Sequence, residues 1–233
     1  MEKDLEMLKK FCEKQDLRFA TFMHIHLSDG KLSASDMNKL IVVDAPKTLS
    51  YKHFLITAPN AFMIEDSIVE THDIKPFNWY KIIERCKRDR KDAECYDVKD
   101  DIAELCKKVK SVMSLLDNLS RDKVFKKAFF ASRRRAFVKF KGMYFFVKDL
   151  WDVIKAADYF KCDKLYVEKS VENKIYLEKE EDRQVDIVLS ETPVNKHSYY
   201  DLDEDKIVLN ILGERKEYKT FSDNFDLHSV FDF

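Results

Sequence analysis

An α+β fold, in two similar domains that each pack helices on antiparallel sheet, is predicted by three observations. Residues 136–194 run strand, amphipathic helix, then three strands. That order places a helix on one face of an antiparallel sheet. Val98, Ile102, Leu105, Val109, Val112, Leu116 and Leu119 alternate spacings of four and three, the mark of a long one-sided helix. Finally, helix followed by strands occurs twice, once within residues 3–57 and again from residue 98.

The elements follow in order. Leu5, Leu8, Phe11 and Cys12 share one side of a helix over 3–14, with Lys3, Lys9, Lys10 and Lys14 on the other. Residues 19–27 form a strand, and Ser28-Asp29-Gly30 has turn chemistry. Strands over 31–35 and 39–44 end before Pro46. A short strand covers 53–57, and 59–69 fits neither pattern. Pro76 forces Lys75 into an extended corner. Residues 80–86 suit strand or helix equally, and the charged run 87–94 is expected to be a solvated linker. The domain boundary is therefore placed there, giving domains 1–91 and 92–233, the second with a C-terminal extension.

Beyond the long helix, 128–140 forms a hairpin whose tip carries Arg133, Arg134 and Arg135. Gly142 and an apolar patch lead into a helix with Leu150, Val153, Ile154, Ala157 and Phe160 on one side. Strands are expected at 164–168, 174–178 and 185–190, and a hairpin about Gly213 joins 206–212 to 217–221. The last residues are acidic and aromatic, suited to a docking peptide or to a final strand on the body.

Composition narrows function. With 233 residues, 45% apolar and 36% charged, the chain can bury a real core. Its 42 basic residues against 43 acidic ones exclude a surface that grips nucleic acid everywhere, so any such contact is local. Cysteines at 12, 86, 95, 106 and 162 are odd in number and form no Cys-x-x-Cys, which fits free thiols in a reducing compartment. No basic-then-apolar leader opens the sequence and no apolar run reaches the ~18 residues of a membrane span, so a cytoplasmic location and no membrane partner are expected.

Three glycines leave little material for a phosphate loop or a nucleophile elbow, and no hydrolase motif occurs. No catalytic residue and no cofactor are assigned. His24 and His26 share a strand face and could hold a metal given a third ligand, which would make a metal-dependent hydrolase. No convincing third ligand stands nearby in sequence, so no metal is assigned. Glu178, Glu180, Glu181 and Asp182 are better explained as a solvated turn.

Four stretches in order resemble a known family. LSDGKLSASDMNKLIVVDAP is similar to a hairpin followed by an Ala-Thr-Asp-Gly-x-Arg-Leu strand, here Ala34 to Leu40. KPFNWYKII is similar to a Phe-Pro-Asp-Tyr corner with the connector and helix after it. VKDDIAELCKKVKSVMSLL matches the next helix in place and character, and 136–194 resembles the second half of the last domain, with Thr192-Pro193-Val194 in the place of its closing Met-Pro-x. Together these resemble the last two domains of the bacterial DNA sliding clamps, the DNA polymerase III beta-subunit type. Met37 and Asn38 stand where the family has Gly and His, the segment between His53 and Pro76 is shorter, and residues run on past Val194.

The resemblance implies a non-enzymatic processivity factor of DNA replication. Such proteins form rings of six domains around duplex DNA, held without regard to sequence, so a two-domain chain would need a homotrimer. Lys9, Lys10, Lys14, Lys107, Lys108, Lys110 and Lys155 would face phosphate. DNA polymerase or other clamp-binding peptides would dock in a pocket of Ser35, Met37, Lys39, Leu40, Pro76, Ile82, Thr192, Pro193 and Val194. The alternative is a clamp-fold interaction module that does not encircle DNA.

Overall fold

The computed structural model describes residues 2–12, 22, 24–46, 54–57, 68–70, 78–119, 136–169, 172–193, 198–211 and 214–219. The protein is α+β, and among the described residues the strands pair antiparallel except for one parallel pair. Its contacts divide it into two compact units, Met1–Ala103 with Asp152–Ser190, and Glu104–Trp151 with Glu191–Phe233.

In the first unit, helix α1 (Glu2–Leu8) and a single 3-10 turn (Lys9–Phe11) precede β1 (His24–Ser28), β2 (Lys31–Ser35) and β3 (Lys39–Asp44). Asp29 and Gly30 both take positive φ, 52° and 71°, in the tight β1–β2 turn. That geometry matches the strand twist and needs residues tolerant of the left-handed region. Strands β4 (Phe54–Thr57) and β5 (Ile68–Glu70) extend the sheet beyond β1. Helix α2 (Trp79–Asp89) and strand β6 (Glu94–Asp97) follow.

Helix α3 (Ile102–Leu119) is the long helix its apolar spacing predicts, with Ile102, Val109, Val112 and Leu116 buried. Strands β7 (Phe137–Phe140) and β8 (Met143–Phe146) form a hairpin through Lys141 and Gly142, so the apolar patch is a strand. Helix α4 (Val147–Phe160) leads to β9 (Lys164–Glu168), β10 (Lys174–Lys179) and β11 (Val185–Ser190).

Nine strands make one sheet in the order β5-β4-β1-β2-β3-β11-β10-β9-β6. Its middle six are two three-stranded meanders, each preceded by a helix. They meet through the antiparallel pair β3/β11, in register at Ile41↔Ile187, so the order reads the same from either side of that pair. Alternation sorts the two faces. Lys39, Ile41 and Val43 share a face with Val185, Ile187 and Leu189, and Lys39 reaches Asp152 of α4 and the Phe11 ring. Asp4 of α1 accepts hydrogen bonds from Tyr159 of α4 and from Arg183, so both helices lie on this face. Leu40, Val42, Tyr176 and Val188 occupy the opposite face and pack under Ile83 and Cys86 of α2.

This arrangement departs from a boundary at residues 91 and 92. Pairing of β3 with β11 and of β6 with β9 binds 24–44, 94–97 and 164–190 into one sheet. The expected linker 87–94 is instead the last turn of α2, a tight turn and the start of the edge strand β6. Its charges are not merely solvated, because Lys87, Asp89 and Arg90 pair with groups on β10 and β11.

The second unit holds the sheet β14-β13-β12-β7-β8, with β12 (Tyr199–Asp201), β13 (Lys206–Ile211) and β14 (Glu214–Lys219). The β13–β14 hairpin about 212–213 agrees with the expectation, although β14 starts earlier. The short strand β12 escapes sequence reading, since three residues carry no period. The proposed tip Arg133–Arg135 and the tail 220–233 lie outside the described residues. Among the described residues no helix is long and apolar enough to cross a membrane.

Candidate nucleic-acid and partner interfaces

The lysines expected to face phosphate fall in three places. Lys107 and Lys110 are exposed on α3, within a stripe that also carries Glu104 and Asp117. Lys108 points elsewhere. Its Nζ donates to the Leu202 carbonyl at 2.8 Å and lies 3.4 Å from Asp205, inside the same unit. Lys9 and Lys10 are half-buried at the end of α1, where Lys10 Nζ lies 3.7 Å from the Met7 sulfur. Lys155 is half-buried on α4. Lys14 lies outside the described residues.

The expected pocket residues divide by role. Residues 35–39 form a hydrogen-bonded turn. Ser35 Oγ donates to the Lys39 carbonyl at 2.9 Å and accepts from Met37 N at 3.2 Å. Asp36 Oδ1 accepts from the backbone N–H of Asn38 and of Lys39. The Asn38 carbonyl accepts from Ser190 N at 2.9 Å, tying the turn to β11. Short polar side chains suit such a turn because they bond their own backbone.

Lys39 is not a surface group. Its ammonium lies 3.1 Å from Asp152 and 3.2 Å from Asp36, and the Lys39 and Asp152 side chains are each only 4% exposed. Leu40 is buried beneath α2. Ile82 projects outward from α2 and is 37% exposed. Thr192 and Pro193 belong to the second unit, where Thr192 N donates to the Tyr144 carbonyl at 2.8 Å and Pro193 is exposed. Pro76 and Val194 lie outside the described residues. Sequence reading missed Asp152, which looks like one more polar residue on an amphipathic helix. It also missed the role of α2, whose pattern was undecided between helix and strand.

Met37 is 54% exposed and its φ is +75°, in the left-handed region where a side chain costs about 1–2 kcal/mol. This is the position at which the resembling family has Gly. Met37→Gly is therefore expected to raise stability, or at worst leave it unchanged. The gain from relief of strain is about 1 kcal/mol, set against the greater freedom of the unfolded chain. Chemical denaturation checks this, and a loss of more than about 1 kcal/mol would contradict the strain.

On β1, an interior strand of the sheet, His24 and His26 share a face as expected. Burial lowers the pKa of His24 and so favours its neutral form. The His24 Nδ1 and Ser33 Oγ atoms are buried without a hydrogen-bond partner. No group of three or more His, Cys, Asp or Glu among the described residues is placed to hold a metal ion.

A network of acids and phenols lies beneath α2. The Tyr176 hydroxyl lies 2.5 Å from Asp186 and 2.8 Å from Glu178 and shares its one proton between them, and Tyr166 donates to Glu178 at 2.7 Å. Burial, then the Asp186 charge, drives the Tyr176 pKa far up, so the phenol stays a donor. Arg90 closes the network on Glu178 at 2.8 Å and on Glu180 at 3.0 Å. Arg90, Tyr166, Glu178 and Glu180 line an open cleft of about 460 Å³ with Lys91, Asp163, Lys164 and Glu181. Within this network Glu178 is held by Arg90, Tyr166 and Tyr176, and Glu180 by Arg90.

No family model matches this chain, and no curated protein matches it. Solved structures similar to it include the DNA polymerase III beta subunit of Borrelia burgdorferi, at a TM-score of 0.46 and 9% identity over 83% of this chain. They also include the DNA polymerase III beta chain of Streptococcus pneumoniae TIGR4, at 0.41 and 8% over 83% of this chain. This chain spans 63% of the length of each.

Proposed function

We propose that the chain is a clamp-like, non-enzymatic tether of DNA replication. It encircles duplex DNA as a closed ring of three copies and retains a polymerase or another clamp-binding partner there. The observation that carries this reading is the doubled unit. Two helix-plus-meander halves join edge to edge through β3 and β11 into one antiparallel wall, with α1 and α4 both on one face. A wall that carries α1 and α4 together on one face offers the two helices as one lining, as a ring around DNA requires. A tether acts by raising effective concentration and needs no catalytic group. Met37 and Ile82, two of the three large apolar side chains exposed among the described residues, belong to the expected partner set.

Retention on closed circular DNA tests the proposal. Lys107→Glu with Lys110→Glu should reduce it about tenfold or more, since counterion release is lost and repulsion added. The melting temperature should hardly change, because both side chains are exposed. Lys108 is left intact, as its bond to the Leu202 carbonyl would confound the reading. Linearising the DNA should release the protein. Unchanged retention in the double variant would remove α3 from the DNA-facing surface.

The balanced stripe on α3, two lysines beside Glu104 and Asp117, favours one second reading, an interaction module that does not encircle DNA. Native mass separates the two readings, a trimer supporting the ring and a monomer the module.

A further inference from the structure

Helix α2 covers its sheet face in an unusual way. Of its residues only Ile83 and Cys86 are buried, while Trp79 is half-buried and lies 3.4 Å from Ser28 Oγ through its indole nitrogen. By contrast, Val153, Ile154, Ala156, Ala157 and Phe160 of α4 are all buried within the same unit. What α2 lacks in apolar contact it makes up in charge. Arg85 pairs with Glu172, Lys87 lies 3.4 Å from Asp186, and Asp89 lies 3.3 Å from Lys174. Arg90, just past the helix end, holds Glu178 and Glu180.

The sheet side of these pairs is buried. Asp186, Lys174 and Glu178 are each 3–4% exposed at the side chain. Charges in that position carry a desolvation cost that offsets much of their attraction. Lifting α2 would return them to water and recover that cost, and it would forfeit the burial of only two side chains and part of Trp79. The strands beneath keep their own ladders and their opposite face, packed by α1 and α4. The balance favours opening of α2 alone over loss of the whole sheet.

We propose that α2 is a releasable strap, seated by its ion pairs over an apolar floor of Leu40, Val42 and Val188, and that it opens as a unit while the sheet stays folded. The floor's occupant in the closed state is this chain's own helix, whose Lys87, Asp89 and Arg90 complement Asp186, Lys174 and Glu178. Release holds whether or not the chain encircles DNA. It gives the protein a salt-responsive means of baring an apolar surface that it otherwise covers itself.

Hydrogen exchange on the intact wild-type protein tests this. Amides of α2 should exchange at least about tenfold faster than those of β10 and β11. Raising NaCl from about 0.05 M to about 1 M should speed α2 a further threefold or so and leave β10 and β11 unmoved, because screening acts on the exposed pairs Arg85–Glu172 and Arg90–Glu180. Alkylation of wild-type thiols with N-ethylmaleimide, resolved by peptide, is an independent readout. Cys86 is 2% exposed, and burial pushes its thiol up to about 11 in the closed state, so it reacts only on opening. It should label more slowly than exposed Cys95 and faster than Cys162, which is buried elsewhere in the unit. The variant Arg90→Ala should speed labelling of Cys86 and not of Cys162. Exchange of α2 in step with β10 and β11 at both salt concentrations, or Cys86 as protected as Cys162, would overturn the strap.

Discussion

Ile187→Ala is expected to destabilise the protein by about 3–4 kcal/mol, and Ile41→Ala by a similar amount, because each leaves a cavity in a packed core. Both side chains are fully buried and stand directly opposite one another at the centre of the β3/β11 pair. The two positions are equivalent in the doubled arrangement, so their costs should agree to within about 1 kcal/mol. Urea denaturation followed by hydrogen exchange should show 24–44 and 164–190 lost in a single transition for both variants. Were β3 and β11 to belong to separately stable bodies, each variant would weaken only its own half. Two resolved transitions, only one shifted by Ile187→Ala, would defeat the single wall and with it the geometry from which the tethering proposal starts.

Asp152→Ala should cost about 3 kcal/mol, because it removes one of the two carboxylates, Asp152 and Asp36, that hold the Lys39 ammonium in a buried site. Asp36, whose Oδ2 lies 3.2 Å from the ammonium, keeps its own pairing in the variant and limits the loss. Replacing the pair with apolar side chains of similar size, Lys39→Met with Asp152→Leu, should restore stability to within about 1 kcal/mol of the parent. The contrast is diagnostic. A buried pair is costly to break and cheap to replace, whereas a solvated lysine would show neither effect. A loss below about 1 kcal/mol for Asp152→Ala would mean that Lys39 is free to reach water, and would restore it as a pocket residue.

Sequence reading recovered elements whose period spans several turns or several alternations. The spacing from Ile102 to Leu116 on α3, and the runs on β2, β3, β9, β10 and β11, need only local chemistry to be recognised. The Asp29-Gly30 turn belongs with them, since positive φ at both residues is a local demand met by local residues. Short or doubly determined segments were not legible. β12 is three residues long, and β8 looks like a featureless apolar patch because its alternation is masked by Phe145 and Phe146 in succession.

Which of the candidate residues lie at the surface was legible in part, and for a physical reason. Residue type marks a lysine or a leucine as available to DNA or to a peptide, but availability is set by what folds over it. Lys107, Lys110, Met37 and Ile82 are exposed, as a surface role needs. Lys39, Lys108 and Leu40 are not available, because Asp152, the Leu202 carbonyl and α2 reach them from 113, 94 and more than 30 residues away in sequence. The charged run 87–94 carries the same lesson. Alone it has no large apolar residue to hold it to anything, and it resembles a linker. Complementary charges on β10 and β11 make it the end of a packed helix. Periodicity and composition sufficed for an α+β chain with repeated helix-and-strand segments. Which strands became neighbours, and therefore which charges were buried and which stayed in water, was decided only when β3 met β11, because pairing between distant segments leaves no trace in the local period of either.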